Sequence, residues 1–268
     1  MRQASSGQAE IAGRWHRNPL RRLRGGVAGA IAFLTIIPVP GRWTDPDISD
    51  MSDTVAWLPL VGAGLGAAAG AVRLIAVPLF GPDPSTALAM ATLVILSGGL
   101  HQDALADFAD GLGVRGERER RLAVMRDSTL GTFGVLALIG WGLLLFAALA
   151  PMSRDHALLA LTVAGAGGRL AALVHARTAV PARSDGLGAS FRVPPAAALV
   201  AAAIAAVCAI GLLGVWRGTL SLAVALAFGA LTALCARRSF GGRTGDTLGT
   251  GIAVAEVAIC LALLASWR

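Results

Sequence analysis

The chain alternates long apolar blocks with short polar segments. The blocks are continuous runs of Ala, Leu, Val, Ile and Gly without period-two alternation, and about 20 helical residues cross a hydrocarbon core. Only helices and closed barrels satisfy their backbone in lipid, so this pattern predicts helices. The predicted spans are 55–80, 86–101, 133–151, 156–177, 195–216, 218–236 and 248–266. The expected fold class is all-α, a polytopic transmembrane helical bundle of about seven spans.

A shorter apolar stretch, 27–39, is interrupted by Pro38 and followed by Pro40. We expect it to be a short re-entrant or interfacial element, because a full crossing would place the two ends of one polar site on opposite membrane faces. The expected domains are an Arg-rich cytoplasmic tail, 1–26, and a single integral membrane catalytic domain, 27–268.

With this topology the Arg-bearing loops at 102–131, 177–194 and 237–247 share one side of the membrane with the tail. Positively charged loops stay cytoplasmic. We therefore expect a multi-pass protein of the bacterial cytoplasmic (inner) membrane, with its active-site loops facing the cytoplasm.

Composition supports a membrane protein: 55% of residues are hydrophobic and 15% are charged, with a net charge of +7. The arginines are spread over short loops beside apolar blocks, which membrane topology explains, so the expected partner is the lipid bilayer and no nucleic acid. The cysteines, Cys208, Cys235 and Cys260, lie in apolar runs and show no metal-ligand spacing. The sequence is compatible with a homo-oligomer.

Three carboxylates follow the second predicted span. Asp103, Asp107 and Asp110 are spaced i, i+4 and i+7, so they share one face if the segment is helical. Their mutual repulsion favours a bound cation, and oxygen ligands favour Mg²⁺, which completes its shell with water and substrate phosphates. The alternative is a solvated acidic loop paired with neighbouring arginines.

Residues 107–115 read D-F-A-D-G-L-G-V-R, close to the D-x-x-D-G-x-x-A-R opening of the CDP-alcohol phosphotransferases. The match is partial, because Val114 replaces Ala and the two further aspartates of that pattern are absent. It still indicates a metal cluster that activates a nucleotide diphosphate.

A second polar element precedes the third span. Arg121 and Arg126 are predicted to clamp phosphate oxygens, with Asp127 and Ser128 beside them in the substrate site. Positive-inside anchoring explains the two arginines equally well.

A third polar element, 241–249, opens the last span. Its glycines and helix start offer backbone N–H groups to a phosphate, so Gly242, Thr244 and Gly245 are predicted substrate-binding residues. Asp246 is predicted to join the metal shell or act as a base, and the alternative is an N-cap.

Two more arginines are candidate substrate-binding residues. Arg169 lies inside a span, where a guanidinium needs a partner and is by default functional. Arg183 begins a glycine-containing loop, 183–188, that could cover a ligand or form a plain turn. His101 lies beside the carboxylates and is the second candidate base.

Four ordered motifs together resemble the cobalamin synthase family, the adenosylcobinamide-GDP ribazoletransferases. They are G-G-L-H-x-D-x-L-A-D-x-x-D-G at 98–111, R-D-S at 126–128, D-G-L-G at 185–188 and G-G-x-T-G-D-x-L-G at 241–249. The chain departs from the family pattern at Ala104, where Gly is usual, and at Ala253, where the last span often carries an acidic partner for Glu256.

The resemblance implies a Mg²⁺-dependent transferase that joins adenosylcobinamide-GDP to α-ribazole or its 5′-phosphate and releases GMP. In that reaction Asp103, Asp107 and Asp110 hold the metal, Asp246 or His101 is the base, and arginines neutralise phosphate charge. Two alternatives remain: a CDP-alcohol phosphotransferase of phospholipid synthesis, and a secondary transporter with Arg73 and Arg169 along its substrate path.

Overall fold

The computed structural model describes residues 19–43 and 52–267, so most of the predicted tail lies outside the described residues. The helices are α1 (Pro19–Leu34), α2 (Ser52–Val55), α3 (Leu58–Phe80), α4 (Pro82–Ser97), α5 (Leu100–Gly113), α6 (Arg118–Val124), α7 (Thr132–Leu149), α8 (Arg154–Thr178), α9 (Leu187–Ser190), α10 (Pro195–Phe240) and α11 (Gly245–Ser266), with a 3₁₀ turn at Gly41–Trp43. The all-α fold class is confirmed.

Helix α8 lies at the centre of the bundle and packs against α3, α10 and α11. Small residues allow this close approach. A Cβ at Gly62 would collide with the carbonyl oxygen of Gly165, and one at Gly66 with that of Leu161. The glycines spaced four apart on α3 therefore serve helix packing, which is the usual role of small residues in membrane helices.

Helices α4 and α5 meet at an angle of 88°. Gly98 and Gly99 both adopt left-handed backbone conformations there, with φ of 62° and 72°, which favour glycine. The predicted span 86–101 is therefore wrong at its end, since the helix stops at Ser97. The segment that follows, predicted as part of a loop, is a helix that carries all three aspartates, with Asp103 exposed, Asp107 half-buried and Asp110 buried.

Helix α10 is broken at Gly214, whose φ of 74° and ψ of 173° are not helical. A Cβ at Gly218 would lie 2.7 Å from the Cα of Ile210, although a straight helix would separate these residues by about 12 Å. The chain therefore reverses at Gly214, between the predicted spans 195–216 and 218–236.

Five of the described helices are long and apolar enough to cross a membrane, or six if the bent pair α4 and α5 forms one span. This number includes α10 as one helix. If the segments before and after Gly214 each cross the membrane, the number of spans rises by one. The structure is consistent with the predicted polytopic bundle, and the number of spans stays a prediction.

Helix α1 is not among the helices that meet the length and hydropathy requirements for a span. In the middle of α1, Gly26 packs against Trp57, and the last turn of the helix packs beside Leu58 in the same apolar cluster. Both parts of α1 thus lie near the beginning of α3. This placement agrees with the predicted interfacial or re-entrant element.

The polar segments after α4, α8 and α10 gather at one end of the bundle, where the start of α11 contacts both α5 and α9. At the opposite end, Arg73 donates hydrogen bonds to the carbonyls of Leu149 and Met152, and to Thr86. The predicted cytoplasmic loops therefore share one side of the molecule.

Candidate active site

Helix α5 presents two of its aspartates to the open end of the bundle. Asp103 is exposed and Asp107 is half-buried. Charge repulsion reaches Asp107 from Asp103, Asp110 and Asp246. The carboxylates of Asp103 and Asp107 accept no hydrogen bond and form no ion pair within residues 19–43 and 52–267. They are thus a negative pair without a protein counterion in that part of the chain.

Asp110 has a different role from the predicted one of metal ligand. Its Oδ2 accepts a hydrogen bond from the N–H of Gly131, and its Oδ1 from that of Gly134, each at 2.8 Å. These N–H groups begin α7 and have no partner inside that helix. Asp110 is 8% exposed, and a carboxylate at a helix N-terminus is electrostatically favourable. It therefore fixes α7 to α5.

Asp246 stands in the first turn of α11, but it is not the N-cap. Thr244 caps the helix, and its hydroxyl accepts from the N–H of Thr247 at 3.2 Å while the Thr247 hydroxyl accepts from Thr244. The Thr244 hydroxyl also donates to Oδ2 of Asp246 at 3.2 Å. The predicted alternative for Asp246 is thus wrong, and its carboxylate is aimed at the open end of the bundle.

A polar cavity of about 360 Å³ lies in front of this helix start. It is lined by Met125, Arg126, Arg183, Asp185, Gly186, Leu187, Gly188, Arg243, Thr244, Gly245 and Asp246. Burial lowers the pKa of Arg183, and the charge of Arg126 lowers it further. Each guanidinium is also paired with a carboxylate of the cavity, Arg126 with Asp185 and Arg183 with Asp246 at 3.9 Å. Guanidinium groups that can exchange these partners, together with the N-terminus of a helix, form a site that can accept an anion.

Of the four residues predicted for the substrate site in the second element, only Arg126 lines this cavity. Its Nη2 donates to both carboxylate oxygens of Asp185, at 2.9 and 2.7 Å, and both side chains are mostly exposed. Asp127 instead accepts from the N–H and hydroxyl of Thr129, which lowers its pKa, and Ser128 is exposed. Neither Asp127, Ser128 nor Arg121 lines the cavity.

The predicted donor Gly242 has a structural role. Its N–H bonds to the carbonyl of Ala236, and a Cβ there would collide with the carbonyl oxygen of Val180. With φ of 158°, the position also favours glycine. By contrast, Gly245 lies in the first turn of α11, where its N–H has no partner inside the helix.

Sequence reasoning missed Arg243, which is 9% exposed. Its guanidinium donates to the carbonyls of Ala176, Ala179, Gly188 and Phe191. It thereby joins the end of α8 to the loop that carries α9 and forms one wall of the site. Its position inside the glycine-rich motif 241–249 could have indicated a role in the site. The sequence pattern favours Thr244 and Asp246 instead, because Thr and Asp side chains are more typical of ligand binding.

Arg169 lies in the core, 2% exposed, and does not line the polar cavity. It forms an ion pair with Glu256 and donates to Nε2 of His101 at 2.9 Å. The structure thus gives Arg169 partners inside the protein, and its predicted binding of substrate phosphate stays a prediction. The sequence correctly indicated that it needs a partner.

His101 does not fit the predicted role of base. A guanidinium can only donate, so Nε2 of His101 accepts and its proton lies on Nδ1. Nδ1 is buried and has no hydrogen-bond partner among the described residues. The imidazole is thus a donor, and its one basic nitrogen is already occupied.

A second cavity, of about 160 Å³, lies beside the polar one. Its walls are Phe33, Leu34, Leu58, Leu100, His101, Asp103, Ala104, Ala172, Leu187, Phe191, Gly245, Asp246, Leu248, Gly249 and Ile252. It is mainly apolar, and it shares Leu187, Gly245 and Asp246 with the polar cavity. The carboxylate of Asp246 thus stands where the two cavities meet.

The chain matches the family described as CobS: Cobalamin-5-phosphate synthase over residues 26–264. A Citrobacter koseri protein named adenosylcobinamide-GDP ribazoletransferase is 36% identical over 242 residues, 87% of this chain and 97% of its own. A Klebsiella pneumoniae protein of that name is 39% identical over 246 residues, which are 88% of this chain and 97% of its own.

A third protein of that name, from Azorhizobium caulinodans, is 36% identical over 259 residues, 91% of this chain and 96% of its own. No solved structure matches the chain. The family match covers most of the sequence, including the four ordered motifs. The chain belongs to the cobalamin-5-phosphate synthase family.

Proposed function

We propose that this protein is an adenosylcobinamide-GDP ribazoletransferase. It joins adenosylcobinamide-GDP to α-ribazole or α-ribazole 5′-phosphate, releases GMP and forms adenosylcobalamin or its 5′-phosphate. The observation that carries the proposal is the meeting of a cationic cavity and an apolar cavity at Asp246, in a chain of this family. One substrate brings a diphosphate and the other brings an aromatic base with a ribose hydroxyl.

The polar cavity holds the diphosphate of adenosylcobinamide-GDP. Arg183 and Arg126 donate to phosphate oxygens, and the first-turn N–H groups of Gly245 and Asp246 add backbone donors. The anion also relieves the repulsion between the two guanidinium groups. Arg126 can exchange Asp185 for phosphate at small cost, because exposed ion pairs contribute little.

Asp103 and Asp107 are the proposed Mg²⁺ ligands. No group of three His, Cys, Asp or Glu in the described part of the chain is arranged to hold a metal ion. This fits Mg²⁺, which typically takes one or two carboxylates and completes its shell with substrate phosphates and water. When bound, Mg²⁺ would neutralise charge on the phosphates and the leaving GMP.

Asp246 is the proposed base. It accepts the proton of the ribazole hydroxyl as that oxygen attacks the phosphorus attached to cobinamide. A new P–O bond to the ribose forms, the P–O bond to the GMP phosphate breaks, and GMP leaves with the electron pair. The hydroxyl of Thr244 holds the Asp246 carboxylate in place by a hydrogen bond at 3.2 Å.

The active-site end is proposed to face the cytoplasm of a bacterium, with the bundle in the inner membrane. The arginines at this end support that orientation through the positive-inside rule. Both substrates are cytoplasmic metabolites on this proposal, so an open cavity on that side gives them direct access.

The structure supports neither of the two alternative functions, the secondary transporter and the CDP-alcohol phosphotransferase. A transporter would expose its intramembrane arginines to a substrate path, whereas Arg73 and Arg169 are 1% and 2% exposed and bonded inside the protein. The aspartates of the CDP-alcohol fragment include Asp110, whose oxygens hold the start of α7.

Substrate choice tests the proposal. Purified protein in liposomes with Mg²⁺ is given either adenosylcobinamide-GDP with α-ribazole 5′-phosphate, or CDP-diacylglycerol with an alcohol, and products are read by mass spectrometry. GMP and a cobalamin phosphate from the first mixture alone support the assignment. CMP release from the second mixture, or no GMP from folded protein, rejects it.

A further inference from the structure

The apolar cavity contains one polar feature that the reaction described above does not use. Nδ1 of His101 is buried, carries the ring proton, and has no partner among the described residues. Unsatisfied buried donors are rare and costly in folded proteins. The cavity that His101 lines is therefore missing one hydrogen-bond acceptor.

Arg169 and Glu256 keep His101 in this state. The guanidinium donates to Nε2 at 2.9 Å and is itself neutralised by Glu256. The imidazole therefore cannot change tautomer without losing this bond. Buried hydrogen-bond networks of this kind fix the orientation of a side chain. The Nδ1–H group of His101 is therefore preorganised to donate to a ligand.

We propose that this cavity is the seat of the aromatic base of the acceptor nucleoside, and that His101 recognises the base through its Nδ1–H. The inference rests on the proposed function and names the subsite for the second substrate. A benzimidazole whose one nitrogen bears the sugar is a flat apolar bicycle with a single remaining acceptor nitrogen. The cavity has mainly apolar walls with the carboxylates of Asp103 and Asp246 at its polar side, and one of its lining residues, His101, holds an unpartnered donor.

Size and polarity exclude the other parts of the substrates. An apolar cavity of roughly 150 Å³ can hold a benzene ring, so 160 Å³ with an open side suits one small flat ring system and is far too small for a corrin. Guanine carries several donors and acceptors, most of which the mainly apolar walls of this cavity would leave unpaired. The base of the acceptor is the moiety that matches.

The position of the cavity also places the sugar. Because Asp246 and Gly245 belong to both cavities, a base bound in the apolar one directs its ribose toward Asp246. Phe33 of α1 and Phe191, after α9, pack against each other with ring centroids 6.4 Å apart and close the outer wall. Helix α1 thereby contributes to selection of the base.

Ala172 sets the size of the cavity. It lies on α8, is 3% exposed, and lines the apolar cavity but not the polar one. A Leu at this position fills part of the space for a bicyclic base and leaves room for a single ring. Ala172→Val adds less bulk and replaces Ala172→Leu in the experiment if the Leu variant does not fold. Ala147→Leu is the matched control, because Ala147 is exposed on α7 and lines neither cavity.

The first experiment measures kcat/KM for α-ribazole and for the corresponding imidazole nucleoside, with adenosylcobinamide-GDP saturating. Wild type and Ala147→Leu should prefer the benzimidazole, and Ala172→Leu should lower that preference by roughly tenfold or more. An unchanged ratio in both Ala172 variants, in protein that still releases GMP, overturns the proposal. Absence of GMP release in wild type would instead reject the proposed function.

The second experiment tests the hydrogen bond with an indole nucleoside, in which carbon replaces the acceptor nitrogen. Wild type should discriminate against it by roughly tenfold, because the His101 donor then stays unpaired. His101→Gln keeps an acceptor near the place of Nε2 for Arg169 but has no donor at the place of Nδ1. This variant should lose the discrimination, with KM for adenosylcobinamide-GDP unchanged; equal discrimination in both proteins contradicts the role of His101.

Discussion

Nη2 of Arg169 lies 2.9 Å from Nε2 of His101, and the same guanidinium is paired with Glu256. These contacts join α8, α5 and α11 in the core. The network therefore ties the helix that carries Asp103 and Asp107, the proposed metal ligands, to the helix that carries Asp246, and the distance between these groups depends on it.

Removing one member of this network should destabilise the fold. Glu256→Ala leaves the Arg169 charge buried without a counterion, and the expected loss is about 3–5 kcal/mol in the free energy of unfolding. Asp185→Ala breaks the exposed pair with Arg126 and should cost less than about 1 kcal/mol. Denaturant unfolding in detergent micelles measures both, and equal losses would contradict the account.

Asp110 and Asp103 should separate stability from metal dependence. Asp110→Asn deprives one N–H at the start of α7 of its acceptor and should lower the free energy of unfolding by about 1–3 kcal/mol. The Mg²⁺ concentration for half-maximal activity should not change.

Asp103→Asn should behave in the opposite way, with unchanged unfolding and a raised Mg²⁺ requirement, because Asp103 is exposed and has no protein partner among the described residues. Measuring the activity of Asp110→Asn and Asp103→Asn against the Mg²⁺ concentration shows which of the two aspartates binds the metal. A raised Mg²⁺ requirement in Asp110→Asn alone would restore Asp110 as the ligand.

Arg183 should govern binding of the diphosphate substrate. Arg183→Ala removes a charge-assisted hydrogen bond to phosphate, and KM for adenosylcobinamide-GDP should rise by roughly 10- to 100-fold. Arg192→Ala is the control, since Arg192 is exposed and lines neither cavity. Steady-state kinetics measure the effect. An equal KM for adenosylcobinamide-GDP in Arg183→Ala and wild type would show that Arg183 does not bind this substrate.

Two glycines of one motif should respond differently to a methyl group. Gly242→Ala brings a Cβ against the carbonyl oxygen of Val180 and should cost about 1–3 kcal/mol or prevent folding. At Gly245 a Cβ would meet the Cβ of Leu187 at 3.3 Å, a contact that a shift of a few tenths of an ångström relieves. Gly245→Ala should fold and show altered kinetics, and thermal unfolding compares the two.

The sequence predicted the all-α bundle because apolar block length is a strong signal in membrane proteins. It placed the aspartates on one helical face and the polar loops at one end. It did not predict the end of α4 at Ser97, because the left-handed pair Gly98 and Gly99 interrupts an otherwise continuous apolar pattern.

Roles inside the site were harder to predict than its location. Asp110 and Asp107 have the same chemistry in the sequence, and only the start of α7 distinguishes them by binding Asp110. Likewise, the role of His101 depends on Arg169, which lies 68 positions away in the chain. Such long-range hydrogen bonds leave no local pattern in the sequence.

The central claim is group transfer at the junction of the two cavities, with Asp246 as the base. The most direct test gives folded protein in liposomes adenosylcobinamide-GDP, α-ribazole 5′-phosphate and Mg²⁺, and measures GMP and cobalamin phosphate together. Wild type and the control Asp155→Asn, an exposed position that starts α8, should form the two products in equal amounts. Asp246→Asn should reduce both by at least roughly a hundredfold. Wild-type rates in Asp246→Asn, or no GMP from wild type, would contradict the account.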